Sequence, residues 1–393
     1  MFRQSANIAR FRPAILSRSV DILHSAIDIP NISQKVGNSM QVGIAGAGAI
    51  ALGYAAFLLR NGHSASVWSP SGNRTAAFAD GEPLKVTGAI EGSFSPEVCN
   101  DAEELAKCDV IVLALPANGH RYVLDALLRH IEARHCVIIS SHLSFAALYL
   151  SKKLAERNIQ IPIVVWNTTI LTSKAQSSTE IKVGVIRAKV DMAVVPVRFG
   201  KHAQAICEQL FGDKFIVKDD ILTITLSNLN PQNHMGIALC NLTRMEHGEI
   251  WGQRSNVTPA VGRLLEALDQ ERQSIAAAFG KSVRTVLEHY ALSFGVSGDS
   301  VAGIAQTLAE QGKDPLGPRD ISTRYILEDV PFGLVPTVRL AQMCGVVTPL
   351  YKSGIEILGA CYGRDFSADN DLLSELGLTC TAELIKLGVN GYA

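Results

Sequence analysis

QVGIAGAGAIALGYAAFLLR, residues 41–60, decides the fold of this chain. Residues 42–45 are a short apolar run of the kind that forms a buried parallel strand. They pass directly into Gly46-Ala47-Gly48-Ala49-Ile50-Ala51, a GxGxxA loop, and then into a helix with Leu52, Ala55, Ala56 and Leu59 on one face. Gly46 permits a tight turn. Gly48 removes a side chain where backbone must approach an anion, and Ala51 is small enough for helix and strand to pack closely. The first-turn N–H groups have no intrahelical partners, so Gly48, Ala49, Ile50 and Ala51 offer a pyrophosphate site. Glycine-rich loops are common on their own. Here a strand precedes the loop, a helix follows it, and a second strand, SASVW at 64–68, comes at the distance a dinucleotide-binding fold requires.

The end of that second strand selects the cofactor. An acid there holds the ribose 2′-hydroxyl of NAD, whereas its absence and a nearby Arg suit the 2′-phosphate of NADP. The chain reads Trp68-Ser69-Pro70-Ser71-Gly72-Asn73-Arg74, with no acid until Asp80. Ser69, Ser71 and Arg74 make a small phosphate-receiving loop with one fixed charge. NADP is therefore the expected cofactor, with NAD as the alternative. Arg74 as an ordinary solvated loop residue is the plainer reading.

The rest of the chain fits two domains. Its 393 residues exceed what one hydrophobic core holds. Lys and Arg number 36 against 37 acids, so total charge points to neither nucleic acid nor an anionic membrane surface. No apolar run approaches the ~20 residues of a membrane helix. The eight cysteines show no CxxC or zinc-ligand spacing and read as small core residues in a reducing compartment; no metal site is expected. Residues 1–39, with Arg3, Arg10, Arg12 and Arg18 and few acids, have a transit-peptide-like composition. Read more plainly, they are a poorly ordered extension ahead of a fold that begins at Met40.

Residues 109–115 (DVIVLAL) read as a buried strand ending at Pro116, on the carboxyl edge where ligands bind in such sheets. His120 there either approaches the nicotinamide or starts a helix facing solvent. CVIIS at 136–140 is the next strand, with Ser141-His142-Leu143-Ser144 at the same edge. Residues 161–166 and 190–196 extend the sheet, joined by a polar turn at Asn167-Thr168-Thr169. A helix at 200–211 and a strand at 215–218 close an NAD(P)-binding α/β domain over residues 40–218. Residues 219–393 lack strand patterns and form an all-α domain. Thr258-Pro259 is a capped helix start, residues 282–290 repeat the helical pattern, and Pro336 and Pro349 sit in the first turns of further helices. The active site belongs between the domains.

Two clusters in the helical half carry chemistry-bearing groups: Asn228-Leu229-Asn230-Pro231-Gln232-Asn233-His234, leading into a helix with Asn241, and RYILEDVPFGLVP at 324–336. Spacing alone permits a structural His and a surface Arg–Asp pair. Together with GAGAIAL, WSPSGNR, GVVTP at 345–349 and TPAVGRLLEALDQERQSIAAAFG at 258–280, these blocks resemble the opine dehydrogenases, the NAD(P)-dependent octopine and nopaline dehydrogenases. The likeness runs from about residue 41 to the C-terminus.

That resemblance implies reductive condensation of a 2-oxo acid, pyruvate or 2-oxoglutarate, with the amino group of an amino acid, arginine-like amino acids included. It makes His234 the general acid/base, Asp329 its orienting partner and Arg324 the clamp on the oxo-acid carboxylate, with Asn230 and Asn241 as helpers that otherwise read as turn and cap residues. The family often has Pro after the His; with Met235 in its place, the His is expected to be held less firmly but to keep its chemistry. A cytoplasmic enzyme acting on small molecules is implied, with a homodimer possible and no nucleic-acid or membrane partner. Two alternatives stand beside it: a ketone reductase of the ketopantoate reductase or glycerol-3-phosphate dehydrogenase type, and a catalytically silent NADP-binding sensor.

Overall fold

Among the described residues, twelve strands carry the first half: β1 (Gln41–Ala45), β2 (Ser64–Trp68), β3 (Leu84–Gly88), β4 (Gly92–Phe94), β5 (Glu97–Val98), β6 (Val110–Leu113), β7 (Cys136–Ile139), β8 (Ile163–Trp166), β9 (Leu171–Ala175), β10 (Glu180–Ile186), β11 (Val190–Val195) and β12 (Phe215–Val217). The computed structural model describes residues 39–393 apart from Ser144; the expected N-terminal extension lies outside the described residues but for Ser39. The main sheet runs β12-β11-β8-β7-β6-β1-β2-β5. Every neighbouring pair is parallel except β8–β11. From β5 to β8 this is the doubly wound order, whose crevice opens at the carboxyl ends of β1 and β6. The inner strands are buried on both faces, which explains why runs such as CVII carry no polar alternation. One apolar layer contains Leu113, Val137 and Ile139, the other Ile44, Val112 and Ile138. Each such side chain contributes roughly 1.5–3 kcal/mol on burial.

A second sheet, β4-β3-β10-β9, departs from the sequence reading. The stretch read as a polar turn between two sheet strands continues into a hairpin, β9–β10, that joins β3 in parallel. This sheet covers the outer side of the glycine-loop helix (Ala49–Arg60). That helix is therefore buried from Ala51 to Leu58 rather than on one face. Gly53 makes the close fit: a Cβ there would come within 2.7 Å of Leu171.

After β12 the described elements are helical, apart from one isolated bridge between Gly252 and Leu316. The two halves pack in one compact unit. The helical half has its own core around Met235, Leu265, Leu268, Val330 and Tyr351. Thr258 caps the long helix Pro259–Ala278, accepting from the Val261 N–H at 3.4 Å. The next helix starts later than its apolar pattern suggests, at Val286–Phe294, because Thr285 and Glu288 form a capping box there. At the centre lies Asp269, 2% exposed. It accepts from Arg272 (2.7 and 3.0 Å), Gln232 (3.1 Å), Gln273 (2.6 Å) and the Val286 N–H (2.9 Å). A buried carboxylate with this many donors is satisfied, and it ties Gln232, two residues before His234, to the core.

The cysteines need a correction. All eight are free thiols, but only Cys108, Cys136 and Cys207 are buried, while Cys240, Cys361 and Cys380 are exposed. No helix among the described residues is long and apolar enough to cross a membrane.

Candidate active site

The cofactor edge is built from the ends of β1, β2 and β6. Gly46 has φ +131°, a region closed to other residues, and a Cβ there would strike the Ala114 carbonyl. Its N–H is donated to the Trp68 carbonyl (2.8 Å), which fastens the turn to β2. Gly48 caps the glycine-loop helix with extended backbone, no side-chain cap bond and no acid in the first turn. The first N–H groups, from Ala49 onward, are thus left for an anion. The Arg74 guanidinium reaches over the loop, 3.6 Å from where a Cβ of Gly48 would stand. Ser69 is half-buried and Ser71 exposed in the same turn. A closed turn, an open helix start and a cation beside it fit a dinucleotide's phosphates.

Pro116, exposed, follows β6 by three residues, and the Ala117 N–H behind it is donated to Glu328 Oε1 (3.1 Å) across the two halves. Ala117, Leu143 and Phe332 form a small apolar cluster at the same contact. His120 starts a helix as expected, but it is 1% exposed and sits against the Leu115 carbonyl (3.2 Å); burial pushes its pKa down to about 4. His142 is also buried, its pKa lowered to about 3 by burial and by His120. Both are neutral core groups.

The helical half brings the second set together. Pro231 lies in the first turn of the helix Asn230–Leu239 and presets its start, so His234 falls in the second turn. Met235 is 1% exposed and packs on Gly354, where a Cβ would overlap its sulfur. His234 Nδ1 meets Asp329 Oδ2 at 2.6 Å. Its ring stacks on Tyr325 with centroids 3.6 Å apart and planes 8° from parallel. Tyr325 in turn donates to Gln253 (2.9 Å). Asp329 is nearly fully buried ahead of a π-helical turn, Val330–Leu334, of the kind often found at functional sites. The imidazole is thus fixed by an acid on one edge and a ring on one face.

Arg324, one helical turn before, is 62% exposed; its Nε lies 3.1 Å from Glu328 Oε2. Burial raises the Glu328 pKa, and Arg324 opposes this. Asn230 is exposed at the helix start, its N–H donated to Asn228 Oδ1 (3.0 Å). Asn241 lies beyond the His helix rather than in it, and its amide closes that helix by donating to the Ile237 carbonyl (2.9 Å). Tyr325, Glu328, Gln232 and Gln253 escaped the sequence reading; of these only Gln253 stands outside the blocks that it singled out.

Residues 42–142 match a family model described as ketopantoate reductase PanE/ApbA, and residues 217–362 one described as NAD/NADP octopine/nopaline dehydrogenase, alpha-helical domain. An opine dehydrogenase of Arthrobacter sp. (strain 1C) is 28% identical over 333 residues, spanning 83% of this chain and 92% of the relative. Octopine dehydrogenase in complex with NADH and agmatine shares the fold with a TM-score of 0.74 at 15% identity, covering 88% of this chain and 98% of that one. Yersinopine dehydrogenase with NADP+ bound gives 0.67 at 15% identity over 86% and 98%. A dinucleotide-binding sheet joined to this helical half defines an NAD(P)-dependent oxidoreductase. The helical half then narrows the likeness: over residues 217–362 and along most of its length the chain is similar to the opine dehydrogenases.

Proposed function

We propose that this protein condenses a 2-oxo acid with the amino group of an amino acid and reduces the product to a secondary amine dicarboxylate, with NADPH as the preferred reductant. The cofactor domain is taken as residues 40–218 and the substrate domain as residues 219–393. In balance, oxo acid, amino acid, NAD(P)H and one proton give opine, NAD(P)+ and water. The bound cofactor supplies the hydride. The His234–Asp329 contact of 2.6 Å carries the reading. A carboxylate on Nδ1 fixes the tautomer and stabilises the imidazolium, so Nε2 is left to exchange a proton with the substrate carbonyl oxygen. The cost of holding that ring is met in advance by Tyr325 and Asp329.

Arg324 binds the oxo-acid carboxylate. Glu328 holds its Nε edge, which leaves the Nη1/Nη2 edge for a bidentate contact. Gly46, Gly48, Ala49, Ile50, Ala51 and Pro116 hold the cofactor, and Ser69, Ser71 and Arg74 favour its 2′-phosphate. Asn230 and Asn241 serve the helix ends.

The experiment is cofactor oxidation with pyruvate or 2-oxoglutarate, each with and without a panel of amino acids that includes arginine. Oxidation that requires both partners is the expected result. Oxidation with the oxo acid alone would favour the ketone-reductase reading, which the match over residues 42–142 keeps in view.

A further inference from the structure

Beyond β8 the chain turns through Asn167, Thr168 and Thr169 at the ligand edge of the sheet, and Arg187 returns beside that turn from the end of β10. Its backbone N–H is donated to the Ile170 carbonyl and its Nε to the Thr169 carbonyl, each at 2.8 Å. One edge of the guanidinium is thereby anchored, and the Nη1/Nη2 edge is left to meet another group. Burial lowers the Arg187 pKa, and no acid pulls it back; only the Tyr54 hydroxyl opposes the shift. Asp191, at the same edge, is already taken by Arg284 (2.7 Å) and Lys218 (3.6 Å). A partly buried cation without a counter-charge is unfavourable unless a ligand brings one.

The Arg284–Asp191 pair also seats the helix Val286–Phe294 against this edge. His289 on that helix lies in the field of Arg187: burial first, then Arg187, Arg284 and Arg272, lower its pKa to about 4. It is neutral at neutral pH and adds a hydrogen-bonding ring rather than a charge. Its neighbour Tyr290 contacts the Asn233 amide at 3.4 Å, one residue from His234. The Asn167–Thr169 turn, Arg187, His289 and the His helix therefore line one region.

We infer that Arg187 receives the carboxylate of the amino-acid substrate, with the Asn167–Thr169 turn beneath it and His289 facing it. The inference rests on the proposed condensation, in which the amino acid brings a carboxylate of its own besides that of the oxo acid, which Arg324 takes. A cofactor phosphate offers the same anionic oxygens, and Tyr54 of the glycine-loop helix lies nearby, so the test must separate the two sources.

The test is calorimetric binding to the protein–NADPH complex, with wild type, Arg187→Gln and Arg187→Lys. The probes are amino acids and their decarboxylated counterparts: L-arginine and agmatine, L-lysine and cadaverine, L-histidine and histamine. Losing a charged hydrogen bond should weaken the best-bound amino acid roughly 10- to 100-fold in Arg187→Gln. Its amine counterpart and NADPH should change by less than about threefold, and Arg187→Lys should recover part of the loss. Melting temperatures identify a misfolded variant, in which case the Lys variant carries the test.

Equal loss for amino acid and amine, a loss confined to NADPH, or a wild type that binds no amino acid of the panel would overturn the assignment. Because binding is read without turnover, Arg187-dependent binding in a protein that oxidises no NADPH would refute the reaction and leave the site standing.

Discussion

The glycine loop and the His234–Asp329 pair are assembled in opposite ways. From Gly46 to Ala51 the proposed cofactor site is a run of consecutive residues that offers backbone rather than side chains. The pair is made of two side chains 95 positions apart, brought within 2.6 Å by helix packing. A backbone site tolerates side-chain change wherever a Cβ fits. A side-chain pair tolerates backbone change wherever the pair still meets.

The sharpest test of that contrast is His234→Ala. Turnover should fall at least ~100-fold, the low end for loss of a general acid/base, while NADPH affinity holds in a direct titration; near-normal turnover would break the comparison. Next comes a histidine of the other kind. His120 is buried without an acid, and its folded pKa of about 4 lies below the unfolded value. The unfolded chain therefore takes up the proton first. Stability from this residue is complete above about pH 6.5 and is lost as pH falls from there toward 4, on the order of 3 kcal/mol in all. His120→Asn should flatten that acid limb in denaturant melts and leave the pH profile of turnover in place.

Gly46→Ala puts a Cβ against the Ala114 carbonyl at positive φ. It should lose about 2 kcal/mol of stability and weaken NADPH and NADH alike. Arg324→Ala should raise KM for the oxo acid about tenfold, and Glu328→Gln, which keeps an acceptor for the Ala117 N–H, by less. An unchanged KM in the first would remove the clamp. The smallest effect belongs to Arg74→Ala, about fivefold on NADPH and little on NADH, in keeping with an exposed cation. Equal effects on the two cofactors would mean Arg74 does not meet the 2′-phosphate.

The same contrast governs what was legible in the sequence. The strand, glycine turn and helix of the loop are local and were readable as such. The second sheet was not, because β3–β4 and β9–β10 come from separate stretches and each is short. EIKVGVI did carry the signal, with Ile181 and Val183 buried between exposed neighbours. His234, Asp329 and Arg324 were visible as residue types and through a family resemblance, but their spacing says nothing of a shared hydrogen bond. Tyr325 and Glu328 lay in the open within a quoted block. Stacking on His234 arises from helix packing within the helical half, and the bond to Ala117 from packing between halves; neither has a local pattern to announce it. Asn241 misled because its helix stops two residues earlier than an amide-rich run suggests.

The Ala117–Glu328 hydrogen bond has a thermodynamic consequence. Its donor follows β6 at the carboxyl edge of the sheet, and its acceptor adjoins the residue that holds His234. With cofactor and substrate placed as proposed, one bond would belong to two binding equilibria. Whatever factor its tightening on cofactor binding adds to substrate affinity, substrate must return to cofactor affinity, since such coupling is reciprocal.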